Sequence, residues 1–189
     1  MKKLIVLFAA LLAITVPALA VDTYKIDGAH SSANFTVKHM GISTVHGRFA
    51  DVSGTILFDA NNSANSSVTA VIKVASINTD NAMRDKHLNG EDFFDSAKFP
   101  EIRFQSTSVK ALGGDKYVAV GNLTMKDVTK QVEIPFNLAT GKNKKGQMLL
   151  GVDAALSIVR YDYHVNFDPT GMGVSKDVKI ELSIEAVGN

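Results

Sequence analysis

The sequence predicts an all-β chain that closes into an antiparallel barrel, and three observations predict it. Apolar residues recur with a period of two in segment after segment, the pattern of strands that bury one face. Clusters of Gly, Asn and Asp separate these segments and supply turn chemistry. Only one stretch departs towards helical spacing. About eight such strands suit a sandwich or an up-and-down barrel, and closure removes the exposed edges that long strands would otherwise present. At about eight strands the interior either fills with side chains or holds one small ligand, and periodicity alone leaves both open.

In chain order, Ala33, Phe35, Val37 and His39 share one face. Phe49 and then Ile56 and Phe58 also face the core, but their numbers differ in parity. A change of face is therefore expected between them, at a bulge over Ser53-Gly54. Val68, Ala70, Ile72 and Val74 form the next stripe. Residues 79–94 break the pattern: they are charged, and Met83, His87 and Leu88 have helical spacing, so a short helix in a crossover loop is expected. Ile102 and Phe104 resume the strands, followed by Tyr117, Ala119, Gly121, Leu123 and Met125. Gly121 and Ala119 are small, which leaves room in the interior unless a neighbouring large side chain takes it. Val132, Ile134, Phe136 and Leu138 come next, and Pro135 among them cannot donate to a ladder, which predicts an edge position or a bulge. Val152, Ala154, Leu156 and Ile158 and then Val178, Ile180, Leu182, Ile184 and Ala186 complete the set. The Lys142 to Lys145 run reads as a solvated hairpin tip, the commoner case, or as an anion or membrane contact.

Residues 1–20 read as a secretory signal peptide. Lys2 and Lys3 precede an apolar run from Leu4 to Val16 that only Thr15 interrupts, and Ala18-Leu19-Ala20 offers a cleavage site after Ala20. The run is shorter than the roughly 20 residues a comfortable membrane span needs, and no later stretch approaches that length. Cleavage leaves 169 residues in one domain, 21–189, with 18 Lys and Arg against 19 Asp and Glu, a net charge of −1. That balance argues against a nucleic-acid partner, which requires a basic patch. The chain has no Cys, so disulfides, thiol chemistry and Cys-based metal sites are excluded.

No catalytic constellation stands out: there is no nucleophile elbow, phosphate loop or zinc helix. No catalytic residue and no metal ligand is assigned, and no cofactor is expected. The five His residues are His30, His39, His46, His87 and His164; the first three form a loose N-terminal set that a barrel end could gather. His39 falls on an apolar face at a strand end, placed either to point into a cavity mouth or to bond a backbone carbonyl. Arg84-Asp85-Lys86-His87 is the densest charged patch: Arg84 is suited to gripping a phosphate or carboxylate with Asp85 orienting it, or the patch fixes the crossover loop by an ion pair.

Several motifs, taken in order, resemble a YceI-like domain. They are Tyr24-Lys25-Ile26-Asp27 with His30-Ser31, Val37-Lys38-His39-Met40-Gly41 and Gly47-Arg48-Phe49. Ser76-Ile77-Asn78-Thr79, Arg84-Asp85-Lys86-His87-Leu88 and Asp92-Phe93-Phe94-Asp95 follow, then Lys98-Phe99-Pro100-Glu101-Ile102-Arg103-Phe104 with Ser106-Thr107. Gly121-Asn122-Leu123-Thr124-Met125 and Val128-Thr129-Lys130 close the series, which spans the mature chain. The resemblance implies a lipocalin-like barrel with a deep apolar cavity, a polyisoprenoid or other long-chain lipid as ligand (isoprenoid quinones included), a periplasmic location, no general catalytic activity and, in some members, a homodimer. It makes His39, Arg84, Asp85 and His87 headgroup candidates, and Phe35, Val37, Phe49, Ile72, Phe104, Leu123, Phe136 and Leu156 the candidate cavity lining. Two positions depart from the pattern: Asp127 stands where Gly is common, and Asp162-Tyr163-His164 where Asp-Phe-Gly is usual. The alternatives are a cavity-based enzyme, metal-assisted or hydrolytic, and a stress-related interaction protein with a filled barrel.

Overall fold

Each apolar stripe becomes a stave of a closed wall. The computed structural model describes residues 21–188, so the leader read in residues 1–20 lies outside the described residues. The strands are β1 (Asp22–Ile26), β2 (Ser32–His39), β3 (Ser43–Phe49), β4 (Val52–Phe58), β5 (Ser67–Lys73) and β6 (Ile77–Asn78). They are followed by β7 (Glu101–Gly113), β8 (Lys116–Met125), β9 (Val128–Lys142), β10 (Met148–Val159) and β11 (Asp177–Gly188). Among the described residues one α-helix, α1 (Ala82–Asn89), lies in the crossover between β6 and β7, as the 79–94 segment predicts.

All pairings are antiparallel, and β1 pairs with β11 to close the sheet. Three staves are each made of two strands laid end to end. β1 and β2 both pair with β11, β4 and β3 pair with β1 and β2, and β5 and β6 pair with β4 and β3. The result is an eight-stave up-and-down barrel, lipocalin-like in plan. Among the described residues no helix is long and apolar enough to cross a membrane.

The expected change of face after Phe49 comes from one of these breaks, not from a bulge at Ser53-Gly54. β3 ends at Phe49, Ala50 and Asp51 make the step, and β4 begins with Val52 facing inward beside Ile56 and Phe58. The β4–β5 register then runs unbroken from Val52↔Ile72 to Leu57↔Ser67. Gly54 serves the close approach of these strands. It takes φ +152°, and a Cβ there would lie 2.1 Å from the Thr69 carbonyl oxygen. Gly54→Ala is expected to destabilise the protein by more than about 1 kcal/mol, opposite in sign to the gain at an unstrained glycine. A lower urea midpoint for unfolding checks it.

A true bulge occurs in β7, between Ser106 and Ser108. It moves the inward face from Ile102 and Phe104 to Val109, and so ends the sequence stripe at Phe104. Pro135 takes the edge position its chemistry predicts. The β9–β10 ladder stops at Phe136↔Ala154, so Val128–Pro135 of β9 pair only with β8, and Ala155–Val159 of β10 only with β11. The wall therefore carries a slot between β9 and β10 over this half of the barrel.

The two ends differ. At one end Tyr24, Ile56, Phe58, Leu150 and Ala186 form a packed plug in which Leu150 and Ala186 are fully buried. The other end carries the β2–β3 turn, the 79–100 crossover with α1, the β8–β9 turn and the 160–176 crossover.

Candidate ligand-binding site

Inside the wall lies a cavity of about 450 Å³, within the size range of small-molecule sites. All eight side chains expected to line it do so: Phe35, Val37, Phe49, Ile72, Phe104, Leu123, Phe136 and Leu156. Ile56, Ala70, Val109, Ala119, Val152, Ile180 and Leu182 add to them, so every stave contributes apolar surface. The filled-barrel alternative does not describe this interior. The room does not come from Gly121, however. A Cβ there would lie 2.4 Å from the Gln105 carbonyl oxygen and 2.7 Å from the Phe104 ring, so neighbouring atoms occupy the space its side chain leaves. Gly47 is likewise covered by the Phe35 ring of its directly paired strand partner.

Every charged or imidazole side chain in the lining sits at the loop-bearing end: His39, Arg84, His87 and Arg160. His39, Arg84 and His87 are solvent-exposed as well as cavity-lining, which marks this end as the mouth. The mouth is framed by the two crossovers. His87 and Phe93 of the first meet Phe167 of the second, with ring centroids 5.0 Å apart for His87–Phe93 and His87–Phe167 and 4.7 Å for Phe93–Phe167.

Helix α1 positions two of these groups, Arg84 and His87. Asn81 caps it by accepting from the Arg84 N–H, and Gly90 ends it. Arg84, His87 and Leu88, at i, i+3 and i+4, form the inward face. Met83 points to solvent and is not part of that face. Arg84, which lines the cavity, donates from Nε to Thr79 Oγ1 and from Nη2 to the Thr79 carbonyl, both at 2.7 Å, so that its third guanidinium nitrogen, Nη1, takes no part in fixing the crossover. Asp85 is the one headgroup candidate outside the lining. Its carboxylate accepts from the Thr79 N–H (2.8 Å) and hydroxyl (2.6 Å), so it fixes the crossover instead of facing the cavity. His87 shares a hydrogen bond with Asp92 (3.1 Å). The three N-terminal histidines are not gathered. His39 is at the mouth, His46 lies in a polar groove on the outer wall, and His30 pairs with Asp27 (2.9 Å) near Glu185. Asp27, His30 and Glu185 are the one group of three metal-type donors close together among the described residues.

Arg160 was not visible as a site residue in the sequence. It is 4% exposed, and its guanidinium donates to the carbonyls of Ser175 (2.9 Å), Val165 (2.7 Å), Phe167 (2.5 Å), Asp168 (3.3 Å) and Val174 (2.9 Å) and to the Tyr161 hydroxyl (3.1 Å). Burial pushes its pKa below the ordinary arginine value, with the Tyr161 and Asp168 charges opposing that shift. The Asp168 carboxylate holds the same loop by accepting from Thr170, Gly173 and Val174, and the Thr170 hydroxyl foremost keeps its pKa low. One buried cation thus organises the whole 160–176 side of the mouth.

With the barrel and its apolar cavity in place, comparison with known proteins decides the family. The YceI-like domain family matches residues 24–186. This chain belongs to the YceI-like family. It is similar to a UPF0312 protein of Photorhabdus laumondii, 38% identical over 189 residues, covering 98% of this chain and 97% of that one. Among solved structures it is similar to BcnA of Burkholderia cenocepacia, with a TM-score of 0.78 and 26% identity, over 85% of this chain and 98% of that one. A polyisoprenoid binding domain from Saccharophagus degradans shares the fold, with a TM-score of 0.70 and 15% identity, over 90% of this chain and 100% of that one.

The two departures from the YceI-like pattern turn out to be one feature. Asp127 lies in the β8–β9 turn and His164 at the end of the 160–163 turn, and His164 Nδ1 meets Asp127 Oδ1 at 3.0 Å. His164 adopts φ +57°, a left-handed conformation that favours glycine. Here the imidazole instead bonds the carboxylate across the slot, and this bond holds the Asp127 pKa below the usual carboxylate range. Lys130–Asp162 (3.2 Å) crosses the same slot, and Lys126 Nζ donates to the Phe93 (2.8 Å) and His164 (2.9 Å) carbonyls, joining three loops of the mouth.

Proposed function

We propose that this YceI-like protein holds a long-chain isoprenoid or related lipid in its barrel, as a carrier, reservoir or sequestering protein. The observation that carries the reading is the division of the cavity: apolar residues from every stave inside, and charged or imidazole groups only at the mouth. Such a site takes an amphiphile tail-first. Burial of the chain supplies about 0.8 kcal/mol per CH₂ before the entropic cost of association. His39, His87 and the free face of Arg84 orient the headgroup, and an isoprenoid quinone, whose carbonyls accept hydrogen bonds, fits them. The fold shared with a polyisoprenoid binding domain supports the ligand class. Export by the leader in residues 1–20 and a periplasmic location belong to the same reading, as does a binding protein without catalytic activity.

Titration of the purified protein with prenyl alcohols of increasing length tests it. Affinity is expected to rise with each added isoprene unit until the cavity is full, reaching the micromolar range or tighter. No binding of any length at micromolar concentration, or affinity independent of length, would overturn it.

A further inference from the structure

The described residues leave seven large apolar side chains exposed, and five of them belong to the loops around the mouth: Met40, Ile42, Met83, Phe167 and Met172. Met40 and Ile42 flank Gly41 at the tip of the β2–β3 turn. That turn is tied to the Met172 loop by the Met40 N–H bond to the Gly173 carbonyl (2.9 Å) and by the His39↔Val174 bridge. Met83 stands on the outer face of α1, whose His87 touches Phe167. Single exposed apolar residues are ordinary, but a ring of them around one opening is not.

We propose that this ring docks the mouth on a lipid bilayer surface, so that the ligand passes between membrane and cavity without crossing water. The inference rests on the lipid-binding reading and adds its partner. Two observations favour a bilayer over a protein. Met40, Ile42, Met83 and Met172 are each 63–86% exposed, and they project as one or two side chains from each of three separate loops. Isolated tips find little complementary surface on a folded partner, whereas a fluid interface accommodates them one by one. The charges beside them also alternate in sign: Lys38, Lys86 and Lys176 are interspersed with Asp80, Glu91, Asp92 and Asp177, all exposed. The end has no single-sign field to steer a charged partner, so docking is apolar and tolerates salt.

Flotation with two kinds of vesicle tests this, one of phosphatidylcholine alone and one of phosphatidylethanolamine with phosphatidylglycerol. The unaltered protein is expected to float with both, at low and high salt. The triple variant Ile42→Ser, Met83→Ser, Met172→Ser is expected to float at least about tenfold less, because its apolar tips no longer partition. None of the three lines the cavity, so the variant is expected to bind monomeric farnesol as the unaltered protein does. Flotation unchanged in the variant overturns the proposal, and so does binding confined to anionic vesicles at low salt. A dimer that the three substitutions dissociate, with no flotation of the unaltered protein, also overturns it and gives the ring to a second copy. Failure of both proteins to bind farnesol counts against the cavity reading instead.

Discussion

Replacing Ala70 with Phe and Leu156 with Trp together is expected to lower prenyl-lipid affinity more than tenfold while leaving the barrel folded. Both side chains line the cavity. Ala70 lies on β5 and Leu156 on β10, four staves apart around the closed wall, so the added rings advance from opposite sides. Excluding two or three carbons of a bound chain costs about 2 kcal/mol at roughly 0.8 kcal/mol per CH₂, already beyond the 1.4 kcal/mol that makes a factor of ten. Overpacking a filled core would cost about 1–3 kcal/mol of stability, and growth into a void costs less. Titration with a long prenyl alcohol, with circular dichroism as the check on folding, measures both effects. An undiminished affinity in the folded variant would place the ligand outside the barrel.

The second large effect is on the mouth itself. Arg160→Leu is expected to destabilise the protein by about 3 kcal/mol, because it strands one buried and four part-buried carbonyls, where an unpaired buried group costs about 1–3 kcal/mol. For a domain of this size that lowers the melting temperature by roughly 6–12 °C. Arg160→Lys is expected to fall between the two, since an ammonium keeps the charge but cannot fork to five carbonyls and a hydroxyl at once. Thermal unfolding of both variants is the measurement. Equal stability of Arg160→Leu and the unaltered protein would remove Arg160 from its organising role.

The wall was legible in the sequence because a strand writes its buried face directly into residue parity. The stripes of Val178 to Ala186 and Val152 to Ile158 name inward residues without any knowledge of partners. The same logic failed where the chain steps sideways: parity signals that Phe49 and Ile56 lie on different tracks, but not that Ala50 and Asp51 divide one stave into two strands. β3 was largely hidden because Gly47 and the outward His46 and Arg48 leave it with little apolar alternation. Of the headgroup candidates, the cavity receives His39, Arg84 and His87, whereas Asp85 turns to Thr79. Helical spacing was read through Met83, yet the inward face runs through Arg84, because Thr79 and Asn81 fix the rotation of α1. Arg160 left no sequence signal: its partners are main-chain carbonyls, which any residue supplies. The Asp127–His164 pair was visible only as two departures, since 37 positions separate residues that the slot brings together.

If the cavity holds a lipid tail, the native protein carries that lipid when it is isolated. The full chain would be expressed with residues 1–20 in place, recovered from the periplasm without detergent, and analysed by native mass spectrometry with organic extraction of the bound fraction. The expected product is a protein lacking residues 1–20 that carries about one extractable prenyl or related long-chain lipid per chain, the capacity of an eight-stave barrel. A bare polypeptide mass with nothing extractable, from cells that contain prenyl lipids, would contradict it.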